Sequence, residues 1–213
     1  MKWLNETIEF PPLTKTNPEG LLAVGGDLSP ERVLYAYQNG IFPWYESDQP
    51  ILWWAPDPRF VLYPHKLKVS KSTKQILKNH SFEITINRNF EDVITACANV
   101  KREAQSGTWI TDEMIETYCK LHQKGIARSV EVWQNKKLVG GLYGIELNDT
   151  IFCGESMFSY VSNASKIGFI SLVQNSNYKL IDCQLHTNHL QSLGAKAISR
   201  SKFMEYIKPQ ITT

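Results

Sequence analysis

The chain has 213 residues, 42% of them hydrophobic, and a net charge of only +2. That is enough apolar material for one large core, or for one core plus a small appendage, and it excludes a disordered or fibrous chain. The charge is uneven: residues 1–60 carry four basic groups (Lys2, Lys15, Arg32, Arg59) against eight acidic ones, net −4, and the totals leave 19 basic and 13 acidic groups in residues 61–213, net +6. A basic body fits a polyanionic partner, although a surplus of this size is also common on ordinary enzymes.

The N-terminus, MKWLNETIEF, lacks the apolar run of a signal peptide, and no stretch approaches membrane-spanning length. Residues 10–28 are rich in Pro and Gly and read as loop, with a short apolar element at 21–24. Ser29-Pro30-Glu31 predicts a helix start that runs through Val33–Tyr37 and stops at Gly40. The following GIFPWYESDQPILWWAPDPRF holds Trp44, Tyr45, Trp53 and Trp54 among four prolines, which argues against a regular helix or a central strand. Its rings form either a small core or a stacking platform for bases. A boundary is expected near Tyr63-Pro64, giving a small unit over 1–63 and a main body over 64–213. Beyond it Lys71, Lys74 and Lys78 fall on one face of a helix beginning at Ser70. Such a face is either solvated or set against phosphates.

The remainder alternates: strand 82–87, helix 90–99, loop 100–110, helix 111–123, strand 128–133, turn 134–137, strand 138–147. A hairpin turn at Asn148-Asp149 leads into strand 150–158, followed by helix 163–175, strand 179–184, helix 187–193, strand 195–198 and helix 199–206. The fold class is mixed α/β. Four cysteines (97, 119, 153, 183) form no CxxC pair and read as reduced core residues of a soluble intracellular protein.

Residues 150–184 concentrate the chemistry. Strict alternation would put Ile151, Cys153, Glu155 and Met157 on one strand face, and would point Asp182 and Gln184 together at the end of the next strand. A carboxylate in an apolar row needs a partner, whether a structural hydrogen bond or a pocket. Cys183, His186 and His189 straddle a strand end and a helix start without a fourth ligand, so a metal is not expected. No GxGxxG, GxxxxGK[ST] or GxSxG occurs.

GLLAVGGDLSPERVLYAYQNGIFPWY, ILWWAPDPRFVLYP, GTWIT, SVEVWQ, LVGGLYG, FCGESMFS, NASK, LIDCQ and SLGA, in this order, resemble the bacterial leucyl/phenylalanyl-tRNA–protein transferases over nearly the whole chain. The resemblance implies a small N-terminal domain, a C-terminal domain similar to the GNAT acyltransferase fold, and no metal or coenzyme. It implies transfer of Leu or Phe, and less readily Met, from aminoacyl-tRNA to proteins with N-terminal Arg or Lys, which marks those proteins for degradation; the transferase itself is expected to be a cytoplasmic monomer. Carried over by position, Trp44, Tyr37, Trp109 and Tyr118 match residues that hold the tRNA's terminal adenosine. Leu142, Phe152, Met157, Phe169 and Leu172 match or adjoin the side-chain pocket, with Leu142 and Leu172 standing where relatives can have Met and Phe. Glu155, Asp182 and Gln184 match the polar centre, Asp182 orienting Gln184 and Glu155 meeting the donor's α-ammonium. Two rivals come from other classes. An acetyl-CoA-dependent acetyltransferase would need a [QR]xxGx[GA] loop that residues 160–168 lack, and a non-catalytic RNA-binding module would leave the polar centre without a task.

Overall fold

A computed structural model describes residues 2–79, 81–100 and 109–208. The expected loop 100–110 therefore falls largely outside the described residues. In chain order the elements are β1 (Lys2–Leu4), β2 (Leu21–Gly25), α1 (Pro30–Tyr37), β3 (Phe42–Pro43), β4 (Leu52–Trp54), β5 (Arg59–Leu62), α2 (Lys71–Lys78), β6 (Glu83–Ile86) and α3 (Phe90–Asn99). These are followed by α4 (Asp112–Gln123), β7 (Ala127–Gln134), β8 (Lys137–Leu147), β9 (Ile151–Ser159), α5 (Ala164–Gln174), β10 (Leu180–Asp182), α6 (Asn188–Ser192), β11 (Lys196–Ile198) and α7 (Arg200–Ile207). No helix among the described residues is long and apolar enough to cross a membrane.

Local chemistry explains the helix starts. The hydroxyls of Ser29, Ser70 and Thr111 accept backbone N–H groups of Arg32, Thr73 and Met114, satisfying donors that a helix N-terminus leaves open. Both hairpin turns in the main sheet place their central residues at positive φ, Asn135 and Lys136 at 52° and 61°, Asn148 and Asp149 at 51° and 54°. Paired positive φ values match the twist of the flanking strands, and Asn and Asp tolerate them best.

The strands form two sheets, one ordered β1-β2-β4-β3 and one ordered β11-β5-β10-β9-β8-β7-β6. One expectation needs correction here. The aromatic, proline-rich segment does contain a central strand: β4 lies between β2 and β3, its three residues falling between Pro50 and Pro56, while Pro43 sits on the edge strand, where no ladder N–H is missed. β5, just before Tyr63, pairs antiparallel with β10 and β11 in the larger sheet. One face of that sheet shares a continuous apolar core with α3, α4 and the N-terminal segment, including Trp53, Tyr118, Tyr143 and Phe158. The other face packs Phe152, Leu142 and Ile181 against Phe169, Ile170 and Leu172 of α5. The sheet and α5 are held close: a Cβ on Gly168 would stand 2.8 Å from Val132 Cγ2.

Two local departures shape the site. Between β8 and β9 the register shifts, with Tyr143 opposite Ser156 but Gly144 opposite Gly154, so Glu155 is the extra residue of a β-bulge. A bulge reverses the alternation. Ile151 and Cys153 face the first core, Glu155 reaches Tyr118 of that same core, and Met157 faces the second, so the expectation that all four odd residues share a face fails at Met157. Likewise β10 ends at Asp182, and Gln184 takes a left-handed φ of 59°, so Gln184 is not placed by strand alternation.

Candidate active site

β9 and β10 run parallel, paired from Leu180–Ile151 to Asp182–Cys153. Beyond that pair β10 ends while β9 continues along β8, and the two chains part. A cavity of about 430 Å³ opens between them, lined by Gly154, Glu155 and Met157 on one side and by Ile181, Cys183 and Gln184 on the other. Its apolar wall includes Leu142, Phe152, Met157 and Phe169. Leu172 does not line it; this residue packs in the same apolar cluster, behind the wall.

Glu155 and Gln184, both lining the cavity, begin a chain of polar groups that runs into the core. The amide Nε2 of Gln184 donates to Glu155 Oε1 at 2.7 Å, the hydroxyl of Tyr118 donates to Glu155 Oε2 at 3.1 Å, and the hydroxyls of Tyr37 and Tyr118 are 2.7 Å apart. Burial pushes the Glu155 carboxyl up from 4.5 to about 7; the two tyrosine hydroxyls pull it down, the nearby Asp182 charge raises it, and Arg59 lowers it. Burial, reinforced by the Glu155 charge, raises both tyrosines well above 10, so they remain donors. With Nε2 committed to Glu155, the carbonyl oxygen of Gln184 is the end of that amide left to accept a hydrogen bond.

Asp182 is fully buried, and Arg59 meets it with two hydrogen bonds, Nε to Oδ1 at 2.8 Å and Nη2 to Oδ2 at 2.6 Å. Oδ1 also accepts the backbone N–H of Gln184 at 2.9 Å. Asp182 thus touches Gln184 through its main chain, and the side-chain amide turns instead to Glu155. Removing one member of a buried ion pair strands the other charge and costs about 3–5 kcal/mol. Sequence reading missed Arg59. The available signal was a lone cation opening the apolar run Phe60-Val61-Leu62, the kind of residue that a buried carboxylate elsewhere must find.

The aromatic residues separate into two groups. Trp44 is 37% exposed, with its ring 5.8 Å from that of Trp54 and its carbonyl accepting the Trp54 indole N–H. Trp44 and Trp109 line both the apolar cavity and a larger neighbouring cleft of about 1310 Å³, whose lining includes Glu46, Asp48, Asp112 and Glu113. Tyr37 and Tyr118 are buried at 1% and 0%, so their ring faces are covered by the core and cannot stack on a base. Their hydroxyls serve Glu155 instead. Lys71, Lys74 and Lys78 lie exposed on α2, while Thr73 turns inward and Leu77 packs on the apolar core. Among the described residues no group of three His, Cys, Asp or Glu is arranged to hold a metal ion.

Family models and sequence relatives agree on a single family. The model for "Leucyl/phenylalanyl-tRNA protein transferase" matches residues 61–208, and that for its N-terminal domain matches residues 26–57. A leucyl/phenylalanyl-tRNA–protein transferase from Flavobacterium johnsoniae is 56% identical over 98% of this chain and 99% of its own length. One from Pseudomonas aeruginosa is 53% identical over 98% and 94%. Among solved structures, a GCN5-related N-acetyltransferase from Kribbella flavida overlaps 83% of this chain and 63% of its own at 9% identity, with a TM-score of 0.40. On the strength of the sequence relatives, the chain belongs to the leucyl/phenylalanyl-tRNA–protein transferase family.

Proposed function

We propose that this protein joins a leucyl or phenylalanyl group, and less readily a methionyl group, from its tRNA ester to the α-amine of a protein whose N-terminal residue is Arg or Lys. The observation that carries this reading is the Gln184–Glu155–Tyr118–Tyr37 chain running from the lining of an apolar cavity that Trp44 and Trp109 also line. The protein acts as a monomer in the cytoplasm, where charged tRNA and nascent substrates meet, and its product is a marker for degradation.

The donor ester is already activated, and the acceptor amine has a pKa of about 7.7–8.0, so placement matters more than a strong base. The donor's side chain enters the cavity against Leu142, Phe152, Met157 and Phe169, whose volume falls in the range of about 300–1,000 Å³ usual for small-ligand sites. Trp44 and Trp109 flank the terminal adenosine, with Trp44 as its stacking platform. Lys71, Lys74 and Lys78 meet phosphates along the acceptor stem. The carbonyl of Gln184 accepts one N–H of the incoming amine and aims its lone pair at the ester carbon. As the N–C bond forms and the C–O bond to ribose breaks, Glu155 takes the amine's proton and the departing ribose oxygen receives one. A carboxyl poised near 7 suits both steps. The cationic side chain of an N-terminal Arg or Lys also favours an acidic centre.

The test is donor choice. Purified protein, an Arg-initiated peptide and tRNAs charged with Leu, Phe, Met or Ser should give peptide products in the order Leu and Phe, then Met. Ser should give essentially none, because an apolar cavity separates apolar side chains by only about 1–3 kcal/mol per methylene but leaves a buried hydroxyl unpaired. Equal use of Ser and Leu would remove the cavity from the account.

A further inference from the structure

Arg59 opens β5, at the centre of an arrangement with no evident purpose as packing alone. Its guanidinium lies between two rings, 4.6 Å from the centroid of Phe42 and 4.7 Å from that of Phe203. Nη1 donates to the carbonyl of Gly40 at 3.3 Å, at the end of the helix α1 segment. Both remaining directions of the fork go to Asp182. Three separated pieces of chain, the segment leading to Trp44, β10 and α7, therefore fix one cation in position and orientation.

What this cation fixes in turn is a backbone conformation. Asp182 Oδ1, held by Arg59 Nε, accepts the N–H of Gln184, which sits at a φ of 59°. A non-glycine residue in the left-handed region is held there only when its surroundings over-determine it. The same turn sends the Gln184 side chain to Glu155. A buried ion pair is a weak source of stability, because apolar replacements of similar volume do as well or better, and its use lies more often in geometry.

We propose that Arg59 is a positioning residue for the transfer reaction: by fixing the Asp182 carboxylate it holds the left-handed turn that presents Gln184 to the acceptor amine. The proposal rests on the reading of Gln184 given above. It requires a fork. A lysine would keep the charge but could not make the two parallel hydrogen bonds and the Gly40 contact together.

The experiment measures folding by near-ultraviolet circular dichroism and melting, together with kcat and donor KM, for five variants: Arg59→Lys, Arg59→Gln, Asp182→Asn, the double Arg59→Gln/Asp182→Asn, and Gln184→Ala. In folded Arg59→Lys, kcat should fall at least about tenfold while donor KM changes less than about threefold, the pattern of lost transition-state placement. Because Arg59 acts through Asp182, the double variant should be no slower than the slower single variant, whereas independent roles would multiply. If Arg59→Lys fails to fold, the double variant decides, since it leaves no buried charge unpaired: a reduced kcat with unchanged KM supports the proposal. Wild-type kcat in either folded protein, or multiplicative losses in the double, overturns it. Gln184→Ala separates the two levels. Wild-type kcat there ends the reading of Gln184 and the Arg59 proposal with it; a loss confined to Gln184→Ala leaves that reading intact and makes Arg59 structural.

Discussion

Replacing Glu155 by Gln tests the electrostatics of the site without removing volume. The carboxyl ionises at about 7 in the folded protein against an ordinary 4.5, a difference worth at most about 3 kcal/mol. Between those two values the folded chain retains a proton that the unfolded chain has released, so stability falls as pH rises across the window, by up to about 1.4 kcal/mol per pH unit. Below 4.5 both states are protonated and nothing is lost; above 7 the whole cost is present. For a chain of this length each kcal/mol moves Tm by about 2–4 °C, so this single group should lower Tm by up to about 6–12 °C between pH 4.5 and 8. Glu155→Gln removes that slope. Its amide can still accept from Tyr118, but its NH₂ would oppose Nε2 of Gln184, whose amide must turn over at a cost of about 1 kcal/mol. The variant should therefore melt below the wild type near pH 5 and close the gap, or pass it, by pH 8. Thermal melts of both proteins at half-unit steps read this directly. Two Tm–pH curves that run parallel would refute the raised pKa, whatever their separation.

Trp44→Ala should raise donor KM about ten- to a hundredfold through lost stacking, with a smaller loss of Tm than removal of a core tryptophan, since the ring is 37% exposed; a large melting loss with unchanged KM in the folded fraction would end that assignment. Neutralising Lys71, Lys74 and Lys78 together should weaken tRNA binding and flatten its dependence on salt while sparing a minimal aminoacyl-adenosine donor, which binding titrations at several salt concentrations would show. Leu142→Phe should narrow the cavity and shift donor choice from Phe towards Leu, by about tenfold in the ratio of kcat/KM values, as competition between the two charged tRNAs would report.

Where structure follows from local chemistry, the sequence was readable. The helix starts at Ser29, Ser70 and Thr111 and the turn at Asn148-Asp149 depend on residues within a few positions of one another, and they stand where expected. The site was readable in part, because Glu155, Asp182 and Gln184 were singled out and the structure brings them together. How they meet was not. Alternation along a strand carries no sign of the bulge at Glu155, which depends on how β8 and β9 pair, and it wrongly extends β10 through Gln184. Tyr37 and Tyr118 were matched by position to the terminal adenosine, and their burial was not legible because it is a property of the packed core, not of their neighbours in the chain. The partner of Asp182 lies 123 residues away, so nothing in local pattern could pair it with Arg59.

The central claim is peptide-bond formation on a cationic N-terminus, and mass spectrometry of the acceptor tests it most directly. Leucyl-tRNA should be incubated with this protein and with peptides identical except for an N-terminal Arg, Lys, Ala or Glu. The account predicts that the Arg and Lys peptides gain one leucyl residue at the α-amine over many turnovers, while Ala and Glu peptides remain unmodified and Gln184→Ala modifies none. Leucine released only as the free amino acid, or attached equally to all four peptides, would contradict it.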